Sequence, residues 1–242
     1  MDYLYDNTYN GLMTALYLHY KYKKSSGIFS KDSYQRSLMS DYKIVRSNEE
    51  FSLKMENIIE KRISKFALKI IYYTFLSIEP NKEKLILRFI SLGLKKGNIT
   101  QLYSHRDTLP IQKIYDKVSK EKHRFLGILR FKDLNGILFS KIAPDNDIIE
   151  LIMPHFVDRF KRENFIVFDE KRLKSGIYDG IEWYTTNIEE SFYSKFSDIE
   201  EVYEEMWKEY FKSIGIEDRK NTKVQFQFLP ARYRKNITEF NK

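Results

Sequence analysis

Cysteine is absent from all 242 residues. Disulfides, thiol nucleophiles and cysteine-held zinc or iron–sulfur centres are thereby excluded, which fits a reducing compartment. Proline and glycine are scarce, at five and nine residues, so no long low-complexity linker is expected. The longest greasy run, FALKIIYYTFLSI (66–78), is interrupted by Lys69 and is too short to span a bilayer. The start, MDYLYDNTYNGLMTALYLHY, lacks the basic and then apolar regions of a secretory signal. Neither the dinucleotide fingerprint nor the Walker pattern occurs, and there is no H-E-x-x-H and no nucleophile elbow. The four histidines, His19, His105, His123 and His155, are dispersed without metal-ligand spacing. The expectation is a soluble, cytoplasmic chain with no metal, no cofactor and no membrane partner.

What is present is a core and an uneven charge. Hydrophobic residues make up 42% and aromatics 16%, which argues for a folded protein. The net charge of +8 divides as +7 over residues 1–100, +3 over 101–163, −8 over 164–218 and +6 over 219–242. A basic front and a basic tail suit an anionic partner, although a Lys-rich composition alone also yields basic proteins.

Periodicity predicts an α+β architecture. Residues 1–20 read as a short strand, a turn and a helix, with Leu12, Leu16 and Tyr20 four apart. Residues 25–41 read as a loop and 41–47 as a strand. A helix opens at Asn48, with Phe51, Met55, Ile58 and Ile59 as its stripe, and 64–78 and 82–96 continue as helices. RFLGILRFKD and GILFSKIA flank Asn135-Gly136, a hairpin signal, and Asp179-Gly180 marks a second one. Asp145-Asn146-Asp147 reads as the cap of a helix through IIELIMPHFVDRF. Helix 198–212 is amphipathic and acidic. The spacing therefore predicts a mainly helical lobe with short N-terminal strands at 1–120. It is followed at 121–242 by an antiparallel sheet with two hairpins, packed helices and a basic tail, the two forming one compact unit.

Three stretches carry candidate chemistry. In PHFVDRF (154–160), Phe156 and Phe160 extend a core stripe, while His155, Asp158 and Arg159 share an adjacent helical face. Asp158 could orient His155 or Arg159 for proton transfer or an anion, or simply make a solvated intrahelical contact. In HRFLGILRF (123–131), read as a strand, Arg124 and Arg130 share a face with Leu126 and Ile128, and each needs a carboxylate or a phosphate. The tail alternates basic, amide and aromatic residues: Arg219, Lys220, Gln225, Phe226, Gln227, Phe228, Arg232, Tyr233 and Arg234. Such side chains suit backbone phosphates and base stacking, or else pack the segment onto the domain.

YDNTYNGLMTA (5–15), HRFLGILRF, IAPDNDI (142–148), PHFVDRF, WKEYFKSIGIEDRKN (207–221) and QFQFLPARYRKNITE (225–239) occur in this order. Together they resemble the bacterial family labelled probable DNA metabolism protein, a domain of unknown function. The resemblance covers almost the full chain, more loosely over 25–120. It implies a setting beside a radical-SAM protein in DNA modification or repair, and in other bacteria a fusion to a uracil-DNA-glycosylase-like domain. This chain resembles the stand-alone form. Without cysteine, radical-SAM cluster chemistry would belong to the partner.

The resemblance raises the functional reading of residues in its motifs. The expectation is an accessory protein that binds nucleic acid, DNA above RNA, and works with a radical-SAM partner. Its phosphate contacts would be Arg124, Arg130, Arg159, Arg219, Lys220 and Arg232, with Tyr233 or Phe228 stacking and Asn221 also among the nucleic-acid-binding residues. The alternatives are a DNA-processing enzyme using His155 or His123 with Asp158, and an interaction scaffold docking through the acidic helix.

Overall fold

Local chemistry sets where the first helices begin. Thr8, Asn48 and Ser64 each accept a hydrogen bond from a backbone N–H three residues on, those of Gly11, Phe51 and Ala67. These caps satisfy donors that have no partner in the first helical turn. They start α1 (Tyr9–Lys21), α2 (Glu49–Arg62) and α3 (Lys65–Phe75). The computed structural model describes residues 1–35, 41–100, 102, 105–134, 136–187 and 229–236. It divides into two units, Met1–Val118 and Ser119–Lys242.

The first unit is mainly helical. Besides α1 to α3 it holds α4 (Lys82–Lys96) and the first half of α5 (Leu109–Ile128). Strands β1 (Asp2–Tyr5), β2 (Ile28–Ser30) and β3 (Tyr42–Ile44) form a parallel sheet in the order β2-β1-β3. Strand β2 falls inside the stretch expected to be a loop. It is only three residues long, set among polar residues after Gly27, and it exists by pairing with β1. Leu12, Leu16, Met55, Ile59, Ile70, Ile71, Ile86 and Phe89 are fully buried. Tyr5 is buried among them and donates its hydroxyl to Glu83 Oε1 at 2.7 Å. Burial, reinforced by the Glu83 charge, pushes the Tyr5 pKa far up.

The second unit contains the rest of α5, β4 (Lys132–Leu134), β5 (Ile137–Ile142), α6 (Ile149–Arg159), β6 (Phe165–Asp169), β7 (Lys174–Tyr178), β8 (Trp183–Asn187) and a 3-10 helix, Ala231–Asn236. The sheet runs β4-β5-β6-β7-β8. Both expected hairpins are there, β4–β5 and β7–β8, with Gly136 and Gly180 at φ +87° and +88°, where glycine is favoured. The sheet is mixed, however, and not purely antiparallel: β5 and β6 pair in parallel. The helix between them returns the chain to the same end before β6 begins, which is what a parallel pair requires.

Helix α6 buries Ile149, Ile152, Met153 and Phe156. Phe131 meets the rings of Phe156, Phe160 and Phe165 edge-on at 5.2, 5.0 and 5.6 Å. Pro154 sits inside this helix but on its exposed side. Gly176 of β7 lies directly beneath: a Cβ there would be 2.5 Å from Met153 Sδ.

Two local expectations are corrected. HRFLGILRF is not a strand, because α5 continues through Ile128. Val118, Glu121, Phe125 and Leu129 are buried at helical spacing, and the four-residue step from Phe125 to Leu129 satisfies either period. Nor do Asp145, Asn146 and Asp147 cap α6. Its N-cap position is Ile148, with no side-chain cap bond, and the acids before it are engaged elsewhere. The amphipathic helix expected at 198–212 lies outside the described residues.

Candidate functional site

The parallel pair determines where a site can form. Ligand crevices in open sheets lie outside the carboxyl ends of parallel strands. Here β5 and β6 end side by side, Ile142 opposite Asp169, and the loops that follow them are tied together by buried Glu121 and Asp169.

Glu121 organises the first loop. It projects from α5, is 3% exposed, and accepts hydrogen bonds from the backbone N–H of Asp145 (2.7 Å) and of Asn146 (2.9 Å). The Asn146 side-chain amide adds a third at 2.5 Å, and the Tyr233 hydroxyl a fourth at 2.7 Å. Tyr233 in turn accepts from Arg232 Nη2 at 3.1 Å. Its ring packs edge-on against Phe125 at 5.1 Å. Burial, then the hydrogen bond to Glu121, raise the Tyr233 pKa, so its phenol stays protonated and keeps donating.

Asp145 faces cations on both sides. Lys171 Nζ lies 3.1 Å from Oδ1, and Arg232 Nε lies 3.1 Å from Oδ2. Arg172 closes the second loop: Nη1 bonds Asp169 at 2.8 Å and the Pro144 carbonyl at 3.2 Å, and Nη2 bonds the Asp145 carbonyl. Asp169 is fully buried, and desolvation raises its pKa against the opposing pull of Arg172. Lys174 bridges Asp147 at 2.9 Å and Glu150 at 2.8 Å. Burial alone would lower the Lys174 pKa, but the two carboxylates outweigh it and the net shift is upward. Asp145, Asp147, Asp169 and Glu150 are each paired with a cation, and Glu121 is satisfied by hydrogen bonds from neutral donors. The network holds the loops in place, and its cations are already committed to carboxylates.

At the other end of α6 lies an open groove of about 550 Å³, lined by Pro154, His155, Val157, Asp158, Lys161, Tyr178 and Trp183. His155 is exposed, with its ring edge-on to Phe156 at 5.2 Å. Asp158 pairs with Lys161 at 3.3 Å, not with His155 or Arg159. Both partners are well exposed, so that pair is weak. The Arg159 guanidinium sits 5.3 Å from the centre of the Phe160 ring. An ammonium, an imidazole and an indole thus share one concave surface, which suits phosphate and base together.

The expected site residues are distributed as follows. His155 and Asp158 line the groove, with Arg159 on the same helix. Arg232 joins the loop network through Asp145. Tyr233 is buried with its hydroxyl on Glu121, so its ring offers no face for stacking, and its part is to position the loop. His123 and Arg124 stand on α5, exposed and half-buried. Arg124 makes no ion pair among the described residues. Arg130 is exposed, with Nη1 3.4 Å from the Gly127 carbonyl. Arg219, Lys220, Asn221, Phe226 and Phe228 lie outside the described residues. Two residues escaped the sequence reading. Glu121 is a lone carboxylate on the apolar stripe of Val118 and Phe125, which was the available signal. Trp183 follows a turn signal and carried none of its own. Among the described residues no group of acids and histidines could hold a metal ion, and no helix is long and apolar enough to cross a membrane.

Fold and site together define an α+β protein whose mixed sheet carries a partly buried ionic network at one end of α6 and an open, aromatic-lined groove at the other. The chain belongs to the family described as a domain of unknown function, DUF4130, whose model matches residues 80–239. That span includes the loop network and the groove, and excludes α1 to α3 and the first sheet. No curated protein and no solved structure matches the chain.

Proposed function

We propose that the chain is a nucleic-acid-binding accessory protein of DNA repair or modification that works beside a radical-SAM partner. The observation that supports this reading is the groove along α6, where Lys161, His155 and Trp183 face the same open space. Lys161 would take a backbone phosphate, and the Trp183 indole would stack on a base of a single strand. Arg159 and Arg162, both exposed near the helix end, would extend the phosphate track. The ionic network contributes rigidity: it anchors Asp145 to Asp147 immediately before α6.

The test is fluorescence anisotropy with labelled single-stranded and duplex DNA from low to near-physiological salt. Trp183→Ala should weaken single-strand binding by about 1–3 kcal/mol, the usual worth of one stacked base. Lys161→Ala should reduce the salt slope by about one. Absence of binding at low salt, or wild-type binding by both variants, would refute the reading. A second reading, a DNA-processing enzyme with His155 as general acid or base, draws on His155 and Asp158 lining the same groove. It requires turnover of a bound strand that His155→Ala abolishes while binding persists.

A further inference from the structure

The α6 groove leaves HRFLGILRF, and the helix α5 that holds most of it, without a part. Lys113, Lys117, Lys120 and Arg124 recur along α5 at steps of four, three and four residues. At about 3.6 residues per turn, all four fall within about 60° of arc and form one straight row. The row belongs to a single continuous helix, so helical geometry alone sets its spacing. Three of the cations are exposed and Arg124 is half-buried. Ile111, Ile114, Val118 and Phe125 are buried on another side of the helix.

None of the four makes an ion pair or a side-chain hydrogen bond among the described residues. Like charges three and four residues apart on a helix repel. Asp116, exposed at the edge of the row, pairs with neither Lys113 nor Lys120. A repulsive row with so little counter-charge suits an anion brought from outside. Gly127, exposed three residues beyond Arg124, continues the same stripe. Its φ is not positive, and a Cβ there would meet nothing within 4 Å. Neither backbone conformation nor packing within the chain calls for glycine, which weakens a helix relative to alanine. What glycine does admit is the close approach of another backbone.

We propose that this row is a contact surface for the sugar–phosphate backbone of double-stranded DNA, with Gly127 letting that backbone come close. The four cations span about 16 Å of helix axis, the length of about five phosphates on one strand of a duplex. Single-strand sites interleave cations with exposed aromatic rings on which bases stack. The exposed positions from Lys113 to Gly127 hold no Phe, Tyr or Trp. The row therefore reads backbone charge alone, which suits a duplex whose bases are already stacked on one another. The class of ligand rests on the function proposed above, but the form differs: the α6 groove takes a single strand and the α5 row a duplex.

Anisotropy of a labelled DNA duplex with the full chain, from low to near-physiological salt, tests the row. Four phosphate contacts contribute about −3.6 to the log–log salt slope. Lys117→Ala combined with Arg124→Ala should therefore make the duplex slope shallower by about two. Gly127→Leu puts a bulky, helix-favouring side chain into open space. It should weaken duplex binding several-fold while the melting temperature stays unchanged or rises. No duplex binding at low salt overturns the proposal. So does a wild-type slope in the double variant, or wild-type duplex affinity in Gly127→Leu. Equal binding to a polyglutamate peptide at matched salt also overturns it, because the row would then serve an acidic protein. Trp183→Ala acts on single-strand binding and the double variant on duplex binding, so the two readings can fail separately.

Discussion

Glu121→Ala should be among the most damaging single changes in the second unit. The wild-type carboxylate accepts four hydrogen bonds, from the N–H groups of Asp145 and Asn146, the Asn146 amide and the Tyr233 hydroxyl. A buried donor stripped of its acceptor costs about 1–3 kcal/mol. Four donors sharing one acceptor are not independent, so we expect about 4 kcal/mol and not the sum. That is a large fraction of the roughly 5–15 kcal/mol that holds a typical domain folded. Tyr233→Phe removes one donor and leaves Glu121 three, and should cost about 1 kcal/mol. Urea unfolding followed by circular dichroism, compared at constant slope, gives both numbers. Amide exchange at Asp145 and Asn146 should accelerate in Glu121→Ala and change little in Tyr233→Phe. A loss below about 1 kcal/mol in Glu121→Ala, or one no larger than that of Tyr233→Phe, would refute the idea that this carboxylate organises the loop.

Two further predictions concern packing and pH. Gly176→Ala places a methyl 2.5 Å from Met153 Sδ and 2.9 Å from Ile149 Cγ2. Met153 can move only part of the way, so the change should destabilise by about 1–3 kcal/mol in the same urea assay. Asp6 titrates below the ordinary aspartate range: burial pushes upward, but hydrogen bonds from Ser47 and Thr8 outweigh it. A depressed folded pKa means its stabilising effect is present at neutral pH and is lost as pH falls from the unfolded value through the folded one. Ser47→Ala should raise the Asp6 pKa in a carboxyl-resolved NMR titration and shrink that acid-side loss, and an unmoved pKa would contradict it.

Recognition of the family rested on motif words, and the structure gives several of them a physical role. IAPDNDI is the loop gathered by Glu121, and PARYRKN supplies Arg232 and Tyr233 to the same network. PHFVDRF combines both readings considered for it: Phe156 is core, while His155 and Asp158 line an open groove. Tyr233 looked like a stacking residue because an aromatic flanked by arginines in a basic tail has that composition. Burial assigns it a different part.

The sequence by itself determined the features that depend on near neighbours. Thr8, Asn48 and Ser64 start helices because a cap bonds an N–H three residues away, and Gly136 and Gly180 turn hairpins because their backbone needs a positive φ. The apolar stripes of α1 and α2 were likewise legible, since a helix repeats every few residues. Only the tertiary structure decided the rest. Whether β5 and β6 run parallel depends on the path of the chain through α6. The partners of Glu121 lie 24, 25 and 112 residues away in sequence. No local pattern encodes such a meeting, because a buried carboxylate is satisfied by whatever donors the completed fold brings to it.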